Sequence, residues 1–418
     1  MLILAHKLVA RESHMTTAYL KCLTVIGIGA LFSAATAADH LAEAISNGDA
    51  KLSFRYRFET VDQSHFEQNA YASTLRTRVN YQTESYRGWQ FFIEADNVME
   101  IFADDYNAGG GNTPNNGQYP VVADPTGTEI NQAWFSHAFT DDHKLTAGRQ
   151  RILLDNQRFV GGVGWRQNEQ TYDAVSFNAK VAESQLFLSY IENVNRIFGD
   201  DVAAGNHDNQ SFLANWSNTW HDRHQLRAYY YHINNQDVAG FSTATLGAAF
   251  KTHWPVGDHK VTFAAEYASQ SDAHNNPVNY DANYLRLEVD LALSSVTFFG
   301  GFEVLGGDAN IPGAAFRTPL ATLHAFNGWA DQFLTTPDTG LADAFIGAKG
   351  DIHGFTWQVI YHDFAADRGN GDFGQELDFS LAKKLNSHVS ALIKAANYEA
   401  ADIQADTHKY WFMLSAHF

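Results

Sequence analysis

Apolar and polar residues alternate one by one in short segments along most of the chain. The first segment, KLSFRYRFETV (51–61), alternates bulky apolar side chains with charged or polar ones. Side chains of a β-strand point to opposite faces in turn, so each segment predicts a strand with one apolar and one polar face. We count about eighteen segments, an even number typical of single-chain bacterial barrels.

The links between these segments alternate in length. Links such as 140–142 and 221–222 are tight, whereas those at 98–127, 153–170 and 306–340 are long. Outer-membrane barrels place short turns at one rim and long loops at the other, while a soluble sandwich has no reason to do so. Residues 38–418 are therefore predicted to form an all-β, transmembrane, antiparallel up-and-down β-barrel in the bacterial outer membrane.

The two ends of the chain agree with export to that membrane. Lys21, an apolar run from Leu23 to Phe32 and the small residues of Ala35-Thr36-Ala37 predict a signal peptide over residues 1–37. The true start is predicted at Met15. The last segment, HKYWFMLSAHF, is typical of a closing strand, whose final Phe418 would be read by the barrel-assembly machinery.

The charge composition limits which partners the chain can bind. The sequence has 28 Lys and Arg against 47 Asp and Glu, a net charge of −19. Nucleic acid is excluded as a partner because binding it requires clustered cations to neutralise phosphates. Lipid and lipopolysaccharide of the outer membrane are the expected surroundings.

Arginines dominate the predicted inner face. A barrel of about 18 strands is too wide for its inward side chains to fill, so it encloses a wet passage. Guanidinium groups there would favour anionic solutes. Alternatively, neighbouring carboxylates pair with them and leave a charge-balanced wall. The predicted pore-lining residues are Arg55, Arg57, Arg76, Arg78, Arg149, Arg151, Arg158, Arg166 and Arg286.

Two unusual stretches carry a family resemblance. DNQRFVGGVGWRQNEQTYDA (155–174) and TPLATLHAFNGWADQFL (318–334) resemble the alginate-export family of outer-membrane barrels. The resemblance implies an eighteen-stranded barrel with an arginine-lined pore for anionic uronic-acid saccharides. This chain lacks the long periplasmic turn of the dedicated exporters. A general or oligosaccharide-uptake porin without anion selectivity is therefore the alternative.

The long loops are the candidate gates. Leu320, Leu323, Phe326 and Trp329 recur at helical spacing, which predicts a short amphipathic helix in the longest late loop. Three aspartates of the early loop, at 104, 105 and 124, are a candidate site for bound calcium, although they do not form a spaced carboxylate signature.

No motif of a catalytic site, a metal site or a cofactor site is present, and we expect a channel that is not an enzyme. An outer-membrane barrel hydrolase is the less favoured alternative.

Overall fold

The computed structural model describes residues 37–111, 115 and 117–418. The signal peptide predicted over residues 1–37, with its start at Met15, lies outside the described residues except for Ala37. That residue begins a helix, α1 (Ala37–Ser46), which the alternation pattern did not predict. The Ser46 hydroxyl donates to the carbonyl oxygen of Glu43 in its last turn. No described helix is long and apolar enough to cross a membrane.

Eighteen strands follow, each paired antiparallel with its neighbour along the chain. Their bounds, β1 to β18 in order, are Asp49–Gln63, Ala70–Gln82, Trp89–Asp105, Gly127–Thr140, His143–Gln150, Thr171–Val181, Ser184–Asn195, Asn206–Trp220, His224–Ile233, Thr243–Val256, His259–Asp272, Asp281–Ala292, Val296–Leu305, Leu341–Ile352, Phe355–Ala365, Asp372–Lys384, Val389–Glu399 and Thr407–His417.

The sheet closes on itself because β1 pairs with both β2 and β18. Phe418 extends this seam: its backbone N–H donates to the carbonyl of Leu52 at 2.8 Å, and Leu52 donates back at 3.0 Å. Closure leaves no strand edge unpaired, as a sheet in lipid requires. The predicted eighteen-stranded antiparallel barrel is confirmed.

Alternation sorts the side chains between the two faces as predicted. On β18, Tyr410 and Phe412 are 54% and 39% exposed, while Trp411 between them is 2% exposed. The outer set faces lipid, where apolar side chains are favourable. The inner set faces a lumen that also holds loop residues.

Loop lengths also follow the predicted parity, with six residues or fewer in every turn at one rim. At the other rim the three longest loops are 106–126, 151–170 and 306–340. The first starts later than predicted because β3 continues beyond Val98 to Asp105, pairing with β2 across a β-bulge at Ala72. The predicted amphipathic helix is wrong. That stretch is irregular apart from one 3₁₀ turn, Leu323–Ala325, and Leu320 and Trp329 pack into the main hydrophobic cluster inside the barrel.

Candidate functional site

The two stretches that carry the family resemblance meet inside the barrel. Val160 and Leu320 form an isolated parallel β-bridge. Beside it, the N–H of Gly161 donates to the carbonyl of Leu320 at 2.8 Å, and the N–H of Thr322 donates to that of Gln157 at 3.0 Å. We call residues 151–170 and 306–340 together the loop pair.

Side chains reinforce this backbone contact. The Trp165 indole stacks on the His324 imidazole, with ring centroids 4.7 Å apart. The Arg166 guanidinium lies between two carboxylates, 2.8 Å from Glu59 on β1 and 3.1 Å from Asp331. Arg166 therefore joins the barrel wall to both halves of the loop pair.

Four of the predicted arginines form a ladder on β1 and β2. Arg55 stands directly opposite Arg76 in the strand register, a like-charge pair that is unfavourable by itself. Loop oxygens offset this repulsion: Arg55 donates to the carbonyl of Gly164 at 2.9 Å, and Arg76 donates to that of Gln167 at 3.2 Å. The ladder thus holds residues 151–170 in place.

Arg57 completes this anchoring from the middle of β1. It donates to the carbonyl of Trp165 and lies 3.1 Å from a carboxylate oxygen of Asp124, in the third long loop. Its guanidinium carbon is also 4.3 Å from the Trp165 ring centroid. Because Trp165 also stacks on His324 of loop 306–340, all three long loops meet around Arg57.

Arg78 and Arg151 share a second group of acids. Arg78 lies 2.5 Å from Asp96 and 2.7 Å from Glu169, while Arg151 pairs with Glu94 at 2.5 Å and also with Glu169. Burial alone would raise the pKa of the Glu169 carboxyl, but Arg78 and Arg151 lower it to about 2. Glu169 is therefore ionised at neutral pH and holds the end of loop 151–170 against the wall.

Arg158 and Arg286 approach a single carboxylate across the lumen. Glu303 on β13 lies 3.0 Å from Arg158 and 3.7 Å from Arg286, and it accepts a hydrogen bond from Asn327 at 2.6 Å. Arg286 also pairs with Glu288 at 2.6 Å. This group ties loop 151–170 to loop 306–340 and to the far wall.

Arg149 was predicted to line the pore, but the structure places it on the other face of the barrel wall. The register places it beside Asp173, and the two side chains pair at 2.8 Å. Gln150 and Tyr172, their neighbours in the next register position, are buried in the lumen. Because faces alternate, Arg149 lies on the outer face, away from the passage.

Eight of the nine predicted arginines thus form ion pairs with carboxylates, and the ninth, Arg55, donates to loop oxygens. These contacts are those of a charge-balanced wall, the second alternative drawn from the sequence. A direct role of these arginines in binding solute stays a prediction.

The loop pair is also tied to β16 and β17. The N–H of Trp329 donates to Asp378 at 3.2 Å, and that of Ala330 donates to Glu376 at 2.7 Å. The Lys394 ammonium lies 2.7 Å from Nε2 of His324. Burial lowers the pKa of His324 to about 3, so this imidazole is neutral at neutral pH.

A cavity of about 590 Å³ opens between these loops at the long-loop rim. We call it the outer cavity. One carboxylate, Asp331, lines it together with five cationic side chains. The cations are Arg158, Arg166, Arg196, Arg317 and Lys409.

Sequence reasoning missed three of these cations. Arg196 and Arg317 lie in long loops outside the arginine-rich stretch, and sequence spacing does not show where such loops fold. Lys409 lies on β18, and its approach to Asp331, at 2.9 Å, depends on a loop residue 78 positions away in the sequence.

Three further spaces, which we call the inner spaces, lie on the short-turn side of the loop pair. Their volumes are about 190, 700 and 410 Å³. Their described linings carry equal numbers of both charges, seven cationic and seven acidic side chains. The cationic ones are Lys144, Arg151, Lys180, Arg227, Lys251, Arg286 and Lys349, and the acidic ones are Asp141, Asp142, Asp155, Glu266, Glu288, Glu303 and Asp343.

The calcium alternative for Asp104, Asp105 and Asp124 is not supported. Asp124 pairs with Arg57. Across the described ranges, no group of three or more His, Cys, Asp or Glu side chains is arranged to hold a metal ion.

Comparison with known proteins supports the same architecture. A family model described as "Alginate export" matches residues 48–288. No curated protein matches the sequence.

Solved structures share the fold at low sequence identity. OccAB2 of Acinetobacter baumannii is 14% identical with a TM-score of 0.71, covering 90% of this chain and 99% of that one. Pseudomonas aeruginosa OpdK, solved with vanillate, and OccK9 (OpdG) are each 13% identical with TM-scores of 0.69 and the same coverage. The family and these structures are porin channels rather than enzymes. The chain belongs to the alginate export family and is a porin-like barrel of the bacterial outer membrane.

Proposed function

We propose that this protein is a channel that admits small anionic solutes through the outer cavity. The supporting observation is the lining of that cavity, where five cationic side chains accompany one carboxylate. Three of the five are ion-paired with carboxylates, and Arg196 and Arg317 supply the remaining positive charge. A concave site with one dominant sign of charge raises the local concentration of oppositely charged solutes. In outer-membrane barrels the long loops face the outside, so solutes would enter the cavity from the medium.

Size favours a small solute over a polymer. The outer cavity, at about 590 Å³, lies within the range of roughly 300–1,000 Å³ for small-molecule sites. A secreted polysaccharide would have to thread past the loop pair, which Arg158 and Arg166 tie to the wall. Uronic-acid monomers and short oligomers are therefore better candidates than the alginate polymer. OpdK, whose fold is similar, was solved with vanillate, a small carboxylate.

A second candidate function is that of a general oligosaccharide porin without anion selectivity. The inner spaces favour it, because their charges balance. A solute passing them meets no excess of either charge, so discrimination by net charge would depend on the outer cavity.

Reconstitution separates the two functions. The full chain in a planar bilayer under a salt gradient should give a reversal potential of anion preference. Proteoliposomes should swell faster in galacturonate than in glucose, and alginate polymer should cause no swelling. Equal swelling in the two sugars together with a zero reversal potential would identify the general porin. Cation preference would reject the anion channel.

The hydrolase alternative has a direct test. Purified protein should not cleave ester or peptide substrates, and turnover abolished by one Ser→Ala substitution would overturn the channel function.

The predicted signal peptide and closing strand can also be tested. N-terminal sequencing of the membrane form should begin at Ala38, and removal of Phe418 should slow barrel assembly.

A further inference from the structure

Arg196 differs from the other cations of the outer cavity. It directly follows β7, and its backbone N–H donates to the carbonyl of Gly205 at 2.7 Å. Its guanidinium carbon lies 5.7 Å from the ring centroid of Phe198 and 5.6 Å from that of Phe241. In the part of the chain that the structure describes, no carboxylate forms an ion pair with it.

The other cations of the cavity have carboxylate partners. Arg158 lies 3.0 Å from Glu303, Arg166 lies 2.8 Å from Glu59, and Lys409 lies 2.9 Å from Asp331. The remaining one, Arg317, has a half-exposed aspartate, Asp338, at 3.9 Å.

Burial lowers the pKa of Arg196 from its ordinary value. A partly desolvated cation without a counter-ion gains more from an incoming anion than a paired one does. Arg196 is therefore the group of this cavity best suited to bind a carboxylate.

The wall around Arg196 is apolar. Half of the thirty lining residues are apolar, and four phenylalanines are among them: Phe66, Phe198, Phe241 and Phe333. Phe198 is held closely by the backbone of Gly109, where an added Cβ would lie 2.9 Å from the ring. Such a wall favours an apolar body and disfavours one whose hydroxyl groups would lose their water.

We propose that the outer cavity is a binding site for aromatic carboxylates, in which Arg196 binds the carboxylate and Phe198 and Phe241 contact the ring. This inference rests on the proposed anion channel and narrows its solutes. Guanidinium forks bind carboxylates through two parallel hydrogen bonds, which a point charge does not reproduce. Aromatic rings next to that fork contact both the arginine and the solute.

Three probes test the inference on the detergent-purified full chain by titration calorimetry: benzoate, galacturonate and benzyl alcohol. Benzoate should bind at least about tenfold more tightly than galacturonate, which has the same charge but a hydroxylated body. Benzyl alcohol, which has the ring without the charge, should bind more weakly than benzoate by a similar factor. Proteoliposome swelling in the two acids gives an independent readout of passage.

Three variants assign the roles of Arg196 and Phe241. Arg196→Gln should weaken benzoate binding at least about tenfold, and Arg196→Lys should restore part of it, because lysine keeps the charge but not the fork. Phe241→Leu should weaken benzoate several-fold and leave galacturonate unchanged, since the leucine keeps the apolar wall but not the ring. Arg223→Gln, in an exposed turn at the opposite rim, is the matched control. Gel migration of unheated samples should show that every variant is folded.

The outcomes separate this inference from the proposed function. If galacturonate binds as tightly as benzoate and both weaken in Arg196→Gln, the aromatic preference is overturned while the anion channel stands. If benzyl alcohol equals benzoate, or if Arg196→Gln binds benzoate normally, the role of Arg196 is overturned. If neither acid binds nor enters proteoliposomes, the anion channel fails as well.

Discussion

The two sides of the loop pair differ in how their charge is arranged. The outer cavity has five cations and one carboxylate, whereas the inner spaces have seven of each. Most of the inner charges lie on strands, where neighbouring residues of opposite sign share a face and pair. Three outer cations lie on long loops, and a fourth, Arg196, begins another. Around the outer cavity, the loops therefore supply most of the cationic side chains.

The same comparison separates two uses of arginine. Arg57, Arg78 and Arg166 are buried in ion pairs that fix the loops. Arg196 faces the cavity, and no carboxylate among the described residues forms an ion pair with it. An arginine-rich lumen consequently does not by itself predict an anion pathway, because most of its arginines have a structural role.

The largest effect is expected when the loop pair is released. Arg166→Ala leaves two buried carboxylates, Glu59 and Asp331, without this partner. Breaking one side of a buried pair costs about 3–5 kcal/mol, enough to shift a loop equilibrium more than a hundredfold. Single-channel conductance should rise several-fold, and the difference between the two sides of the lumen should disappear.

Arg149→Ala is the matched control, because Arg149 pairs with Asp173 on the outer face. Its conductance should equal that of the unmodified protein. Unchanged conductance in Arg166→Ala would show that Arg166 does not hold the loops.

A smaller opening is expected from Gly328→Ala. Gly328 has a φ of +82°, and an added Cβ would lie 2.2 Å from a carboxylate oxygen of Glu376. The methyl group would push residues 328–330 off β16, and we expect about a two- to threefold rise in conductance from a cost of roughly 1–3 kcal/mol.

Gly369→Ala controls for backbone strain alone. Its φ is +94°, and nothing lies within 4 Å of the added Cβ. If both variants conduct alike, the contact with Glu376 does not matter for the position of the loop.

The architecture was predictable because its signals are local. Alternation fixes the faces of each strand, and loop parity fixes the two rims, so the barrel and its strand number followed from the sequence. The partners of the arginines were not predictable. Arg166 and Asp331 are 165 residues apart, and no local pattern shows that two loops cross in the lumen.

Arg149 illustrates a second limit. Arg149 and Arg151 are two residues apart and would share a face if the strand continued. However, β5 ends at Gln150, so Arg151 turns into the lumen with its loop while Arg149 stays on the outer face. A boundary shift of one or two residues decides such an assignment, and boundaries are the weakest part of sequence reasoning.

Acid should also open the channel, and the opening should increase gradually as the pH falls. The pKa of Glu169 is lowered from its ordinary 4.5 to about 2, so its contribution to loop stability is complete above pH 4.5 and is lost as the pH falls towards 2. Conductance should increase over that window. Glu169→Gln should conduct more at pH 7 and lose the dependence.

Glu183→Gln, in a two-residue turn at the other rim, should titrate like the unmodified protein. If the conductance of the unmodified protein stays constant down to pH 2, ionised Glu169 does not hold the loop in place.

The smallest effect is expected on ion selectivity when a single cation is removed from one side of the loop pair. Arg317→Gln removes an outer cation whose carboxylate partner, Asp338, lies 3.9 Å away, and Lys251→Gln removes an inner one. Since the outer cavity carries the excess charge, Arg317→Gln should reduce the anion-to-cation permeability ratio by about twofold at low salt, and screening should diminish this at high salt. Lys251→Gln should reduce it less, because six other inner cations remain. Reversal potentials under a salt gradient measure both, and a larger shift in Lys251→Gln would place the selective charge on the inner side.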